Sequence, residues 1–203
     1  MADDPARLIE AWFAQHADDD EFIRAEPPAY TAFPPGDVPG KFVYATKPHP
    51  ALLALDQCGE SARLGVIAPS PGLPLDCHVD WMSPLVADHD LLFLGDMDPV
   101  DLLIFAWVRA KLSPKPIVYL GVSDAYLLAL NVSIARSFTL QFTPSEQESM
   151  SLLSTVFPDY REVVGESCSR LLEQARKIEL EAVVSALGSP AVLLLPALGD
   201  DHA

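Results

Sequence analysis

The sequence predicts an α/β protein built as a three-layer, Rossmann-like parallel sheet, with an N-terminal helix and extra C-terminal helices. Three observations carry this. Short apolar runs alternate with helical stretches from Lys41 to about Val132. The runs are near-continuously apolar, as in strands covered on both faces. Proline and glycine stand between the elements, with 19 prolines in 203 residues.

The elements follow in order. Residues 5–16 read as an amphipathic helix, with Leu8, Trp12 and Phe13 on one face and Ile9 beside them. Asp4 is placed to cap it and Pro5 to open its first turn. The acidic run Asp18-Asp19-Asp20-Glu21 reads as a solvated helix end. Residues 26–40 hold five prolines and two glycines and read as a strap, with Tyr30 and Phe33 as anchors. The chain therefore divides into a helix and proline-rich strap, 1–40, and an α/β domain, 41–203.

Within that domain, strands are expected at 41–46, 62–68, 90–96 and 116–121. Helices are expected at 49–58, 76–86, 99–112 and 124–132. The stretch 137–144 alternates like an edge strand. Ser145 to Glu148 has capping-box spacing and opens a helix running to about Phe157. Residues 166–187 form the longest helical pattern, with Leu171, Leu172, Ala175, Ile178, Ala182 and Val183 on one face. Gly188 and Pro190 stop it. Residues 191–198 read as a last strand or an apolar tail docked on the body.

Composition excludes several classes. With 13 basic and 29 acidic residues the formal charge is −16, so an overall basic footprint for nucleic acid is absent. Anionic membranes are equally disfavoured. Cys58, Cys77 and Cys168 are an odd number with no CxxC spacing, against a cysteine-type zinc site or a disulfide framework. The N-terminus carries acid where a signal peptide carries base, and no apolar run approaches the roughly 20 residues of a membrane span. A cytoplasmic protein is expected.

The pattern with most chemistry is Gly95-Asp96-Met97-Asp98-Pro99, where the third of these strands meets its helix. In a parallel sheet that junction lies on the ligand-binding edge. Two carboxylates there are hard oxygen ligands suited to Mg²⁺. Asp98 before Pro99 is also a good N-cap, and Asp101 a good first-turn acid. Capping accounts for Asp98 and Asp101 but not for Gly95 and Asp96.

The run GDMDPVDLLIFAWVR resembles the central motif of the TOPRIM domain, most closely that of the topoisomerase VI A subunit and of the JetD-type nucleases of Wadjet defence systems. The likeness covers roughly residues 41–130. It implies a TOPRIM-like protein of nucleic-acid metabolism, a phosphodiester-cleaving enzyme or a subunit of such a complex, with Asp96 and Asp98 as Mg²⁺ ligands and catalytic residues. It implies a protein partner in a nucleic-acid-processing or defence complex. The family's first strand ends in a glutamate; here Thr46 stands in that place. Lys47 and His49, just past that strand, are the nearest helpers. Whether Glu60 or another distant acid replaces the glutamate is left open. The alternative is a non-catalytic acidic module for protein contact on a degenerate TOPRIM fold.

Two other clusters read as structural. Ser123 in Gly121-Val122-Ser123-Asp124-Ala125 follows a strand as a nucleophile elbow would, but the histidine downstream is His202 alone. An N-cap is expected. Cys77, His78, Asp80, Asp88, His89 and Asp90 match no zinc spacing and are expected to be loop residues. On residues 170–181, Glu173 and Lys177 are expected to pair at i,i+4 on a solvated helix face; the alternative is that Arg176 and Lys177 form a small basic patch near the Asp96–Asp98 edge.

Overall fold

A computed structural model of the chain describes residues 4–18, 22, 30–33, 40–58, 64–69, 72–135 and 138–198. Helix α1, Pro5–Gln15, starts at Asp4, whose side chain accepts from the Ala6 amide. Its buried stripe is Ala6, Ile9 and Phe13, so the helix is rotated from the expected Leu8–Trp12 face. Asp19, Asp20 and Glu21 lie outside the described residues.

The sheet has five strands. They are β1, Tyr30–Phe33; β2, Lys41–Ala45; β3, Leu64–Pro69; β4, Asp90–Leu94; and β5, Ile117–Tyr119. Their spatial order is β1-β3-β2-β4-β5. The last four are mutually parallel, with Val43 opposite Val66 on one side and Leu92 on the other. The expected strap thus supplies a strand: β1 runs antiparallel along β3, with Tyr30 opposite Pro69. Residues 26–29 and 34–39 lie outside the described set.

The crossover helices are α2, Pro48–Cys58; α3, Asp76–Val86; α4, Pro99–Lys111; and α5, Asp124–Ala129. Helix α4 is buried from Pro99 through Val108, because α1 and α6 (Pro144–Val156) pack on it. Trp107 is fully enclosed and donates its indole N–H to Glu10 of α1 at 2.9 Å. Central position and burial on all sides make α4 the rigid post at whose N-terminus the carboxylates stand.

Beyond α5 the structure decides four expectations, correcting two of them. The edge strand expected within 137–144 forms over two residues: β6, Leu140–Gln141, pairs with β7, Arg176–Lys177, in a separate two-stranded sheet. The capping box is Thr143 with Glu146, not Ser145 with Glu148, because the helix begins at Pro144. After α7, Tyr160–Val164, the expected helix over 166–187 divides into α8, Glu166–Glu173, and α9, Leu180–Leu187. The break falls at Ala175, whose φ of 54° is left-handed. From there the chain runs extended through β7, and Ile178 exchanges two backbone hydrogen bonds with Met97. Burying Ile178 completely contributes roughly 2 kcal/mol. Finally, of the two readings of 191–198 the docked tail is the one that forms: a 3-10 turn, Pro190–Leu194, and α10, Leu195–Leu198, dock it on α2 and α9.

Gly188 at φ 78° ends α9, as its position after Leu187 predicts. No helix among the described residues is long and apolar enough to cross a membrane.

A candidate metal centre at the end of β4

Strand β4 ends at Leu94 and α4 begins at Pro99, so Gly95 to Asp98 cross the carboxyl edge of the parallel sheet. Three carboxylates meet there. Asp96, Asp98 and Asp101 each offer an oxygen, and these oxygens lie within 4.8 Å of one another. All three residues are buried. Two were expected; Asp101 is the addition. The sequence assigns it to helix capping, but that task is done by Asp98, whose Oδ1 accepts from the Asp101 amide at 2.8 Å. Asp101 is thereby free to turn inward. Its Oδ2 accepts from the Thr46 hydroxyl and from the Asp96 amide, both at 2.6 Å.

Thr46, just past β2, is thus a donor that orients an acid. Gly95 is explained by the same contacts. A Cβ on Gly95 would stand 2.8 Å from Asp101 Oδ2 and 3.1 Å from Thr46 Oγ1. Gly121, after β5, is constrained alike: a Cβ there would be 2.7 Å from the Gly95 carbonyl. That carbonyl accepts from the Val122 amide, and the Tyr119 hydroxyl donates to the Asp96 carbonyl at 3.1 Å.

Asp96 is held from two sides. Its Oδ1 accepts from the Leu180 amide at 2.8 Å, where the chain enters α9. Its Oδ2 faces Lys47 Nζ at 3.2 Å. Lys47 also stands 3.8 Å from Glu181 Oε1, which is half-exposed. On the far side, Lys177 binds the buried Glu146 at 2.7 Å and Glu179 at 3.3 Å.

The electrostatics follow from burial. Removal from water pushes the Asp96 carboxyl up to about 7; Asp101 adds to this, and Lys47 and the Leu180 amide oppose it. Burial, then the charges of Asp101 and Asp96, hold Asp98 well above the ordinary carboxylate value. Burial also raises Asp101, against the pull of the Thr46 and Asp96 hydrogen bonds. Burial works to lower the Lys47 ammonium, yet Asp96 and Glu181 hold it above the usual lysine value. A cluster with this surplus of negative charge favours whatever brings a cation or a proton into it.

The donor set fits a hard divalent cation: three carboxylates, no sulfur or imidazole. The hydrogen bonds above leave Asp98 Oδ2 and Asp101 Oδ1 outside them, and among the described residues the polar partner of Asp96 Oδ2 is the Lys47 ammonium. Asp96, Asp98 and Asp101 could therefore hold a metal ion.

Of the other expected residues, Lys47 joins the cluster and His49 does not. His49 lies exposed on the first turn of α2, and no hydrogen bond or ion pair among the described residues links it to the carboxylates. Glu60 lies outside the described residues. Ser123 is an N-cap: its hydroxyl accepts from the Tyr126 amide, and Asp124 caps α8 by accepting from the Ser167 and Cys168 amides. Cys77 and His78 sit at one end of α3 and Asp88 to Asp90 beyond the other, roughly 16 Å apart at helical rise. The expected Glu173–Lys177 pair does not form, because the helix has ended; Glu173 binds Arg161 at 2.9 Å instead. Arg176 bonds Thr139, while Lys177 is held by Glu146 and Glu179 and also feels the charge of Asp98, so only Lys177 of the two reaches the cluster electrostatically.

No protein-family model matches the chain, and no curated protein matches it in sequence.

Proposed function

We propose that the chain is a TOPRIM-like, Mg²⁺-binding protein of nucleic-acid metabolism, acting as a subunit of a phosphodiester-processing complex. One observation carries the reading: Asp96, Asp98 and Asp101 converge at the carboxyl edge of the parallel sheet, with one oxygen each inside a 4.8 Å span. A divalent ion held there supplies a Lewis acid for a phosphate oxygen. The chain's own residues do the rest. Asp98 anchors the helix start, Thr46 and the Asp96 amide orient Asp101, and the Leu180 amide fixes Asp96. None of them is a free general base like the family's glutamate. The backbone leading into α9 also crosses the edge where a nucleic acid strand would approach. Both features favour a subunit over a free-standing nuclease.

A second reading, the non-catalytic contact module, draws on the Lys47–Asp96 ion pair, which neutralises one carboxylate without any metal. Calorimetry with Mg²⁺ and Mn²⁺ separates the two. Binding by wild type that disappears in Asp96→Ala/Asp98→Ala supports the metal reading. No binding by wild type overturns it and leaves Lys47 as the resident cation. Manganese-dependent hydrolysis of bis(p-nitrophenyl) phosphate, lost in the same double variant, would move the chain from subunit to enzyme.

A further inference from the structure

The two oxygens of Asp96 are engaged differently. Oδ1 accepts from the Leu180 amide, a backbone group pinned by the paired hydrogen bonds between Met97 and Ile178. Oδ2 faces the Lys47 ammonium at 3.2 Å, its one hydrogen-bonding or ionic partner among the described residues. Oδ1 is committed to a fixed amide, so Oδ2 is the oxygen of Asp96 better placed for a divalent ion, and at about 2.1 Å Mg²⁺ cannot share it with an ammonium in a buried site. Lys47 has somewhere to go. Its Nζ is already 3.8 Å from Glu181 Oε1, on a side chain 53% exposed, and Lys47 itself is 37% exposed. The swing is short, needs only the flexible four-carbon stem, and crosses no packed core.

We propose that Lys47 is a tethered competitor for the cation site, seated on Asp96 when no ion is bound and shifted onto Glu181 when a divalent ion enters. This rests on the metal reading above and adds to it the regulation of that site. A lysine in this role makes ion binding weak and dependent on Glu181, so the site discriminates by charge: a monovalent ion gains no more from Asp96 than the ammonium already there.

The test is calorimetric titration of Mn²⁺ into the full chain for wild type, Lys47→Met, Glu181→Gln and the double variant. Lys47→Met is expected to bind on the order of tenfold more tightly. Glu181→Gln is expected to weaken binding with Lys47 present and to change it much less in the Lys47→Met background, a coupling that simple loss of a nearby negative charge would not show. Equal or weaker binding by Lys47→Met overturns the competitor while leaving the metal reading standing. No binding in any variant overturns both. Should Lys47→Met fail to fold, acetic anhydride labelling of wild type decides instead. The acylation rate of Lys47, normalised to that of Lys115, should rise in saturating Mn²⁺; an unchanged rate where calorimetry shows binding sinks the proposal.

Discussion

The Thr46 hydroxyl donates to Asp101 Oδ2 at 2.6 Å and so ties the end of β2 to the first turn of α4. The bond spans 55 residues of sequence and aims a buried carboxylate. Thr46→Val keeps the shape and deletes the donor. It is expected to destabilise the protein by about 1–3 kcal/mol, because Asp101 then keeps only the Asp96 amide on that oxygen. Thr46→Ser should retain most of the stability. Thermal unfolding of the three proteins checks this; a wild-type Tm in Thr46→Val would mean that the hydroxyl does not orient Asp101.

Gly95→Ala is expected to cost about 1–3 kcal/mol, since the new methyl would stand 2.8 Å from Asp101 Oδ2 and 3.0 Å from the Phe93 ring. The carboxylate is the softer neighbour and would move. Mn²⁺ affinity should therefore fall along with stability, whereas Asp124→Ala, which removes a cap from α8, should cost about 1 kcal/mol and leave Mn²⁺ affinity unchanged. Equal affinity losses in both variants would mean that the effect is general softening, not displacement of Asp101.

The cluster also fixes a direction for pH. Asp96 rises from an ordinary carboxylate value to about 7 in the fold, and Asp98 and Asp101 are raised too. A folded state that binds protons more tightly than the unfolded one loses stability as pH rises. The contribution of Asp96 is therefore fully present below about pH 4 and is lost on the way up to about pH 7. In chelator, the Tm of wild type should drop more between pH 5 and pH 8 than that of Asp96→Asn. Divalent cation should recover more stability at pH 8 than at pH 5, where protons compete for the same oxygens. Parallel pH curves for the two proteins would show that Asp96 does not titrate in this window.

Most of residues 41–130 was legible because apolar runs, proline and glycine mark strand and helix separately: the bounds of α3, 76–86, and the junction of β4 with α4 follow directly. Asp96 and Asp98 were legible for the same reason, since the topology fixes which end of a parallel strand faces a ligand. Asp101 was not, because an acid three residues after an N-cap has a sufficient local use. The signal that it does more was Gly95, a glycine that no cap or turn required. The break between α8 and α9 was hidden more deeply. Leu171, Leu172, Ala175 and Ile178 keep helical period, yet Ile178 is buried against Met97 through an extended backbone. A tertiary contact there overrides local periodicity, and periodicity alone has no access to it.

Ala175 tests that break. In the fold it sits at φ 54°, a left-handed conformation that costs an L-residue with a Cβ roughly 1 kcal/mol and costs glycine almost nothing. Ala175→Gly is therefore expected to stabilise the protein by up to about 1 kcal/mol, less the extra chain entropy glycine brings to the unfolded state. Within a continuous helix over 166–187 the same change would destabilise by about 1 kcal/mol. The sign alone decides. It reaches the site as well, because the Ala175 turn is what delivers Ile178 to Met97 and the Leu180 amide to Asp96. A stabilising Ala175→Gly should leave Mn²⁺ affinity intact or raise it, whereas Ala175→Pro, whose ring excludes positive φ, should lower both.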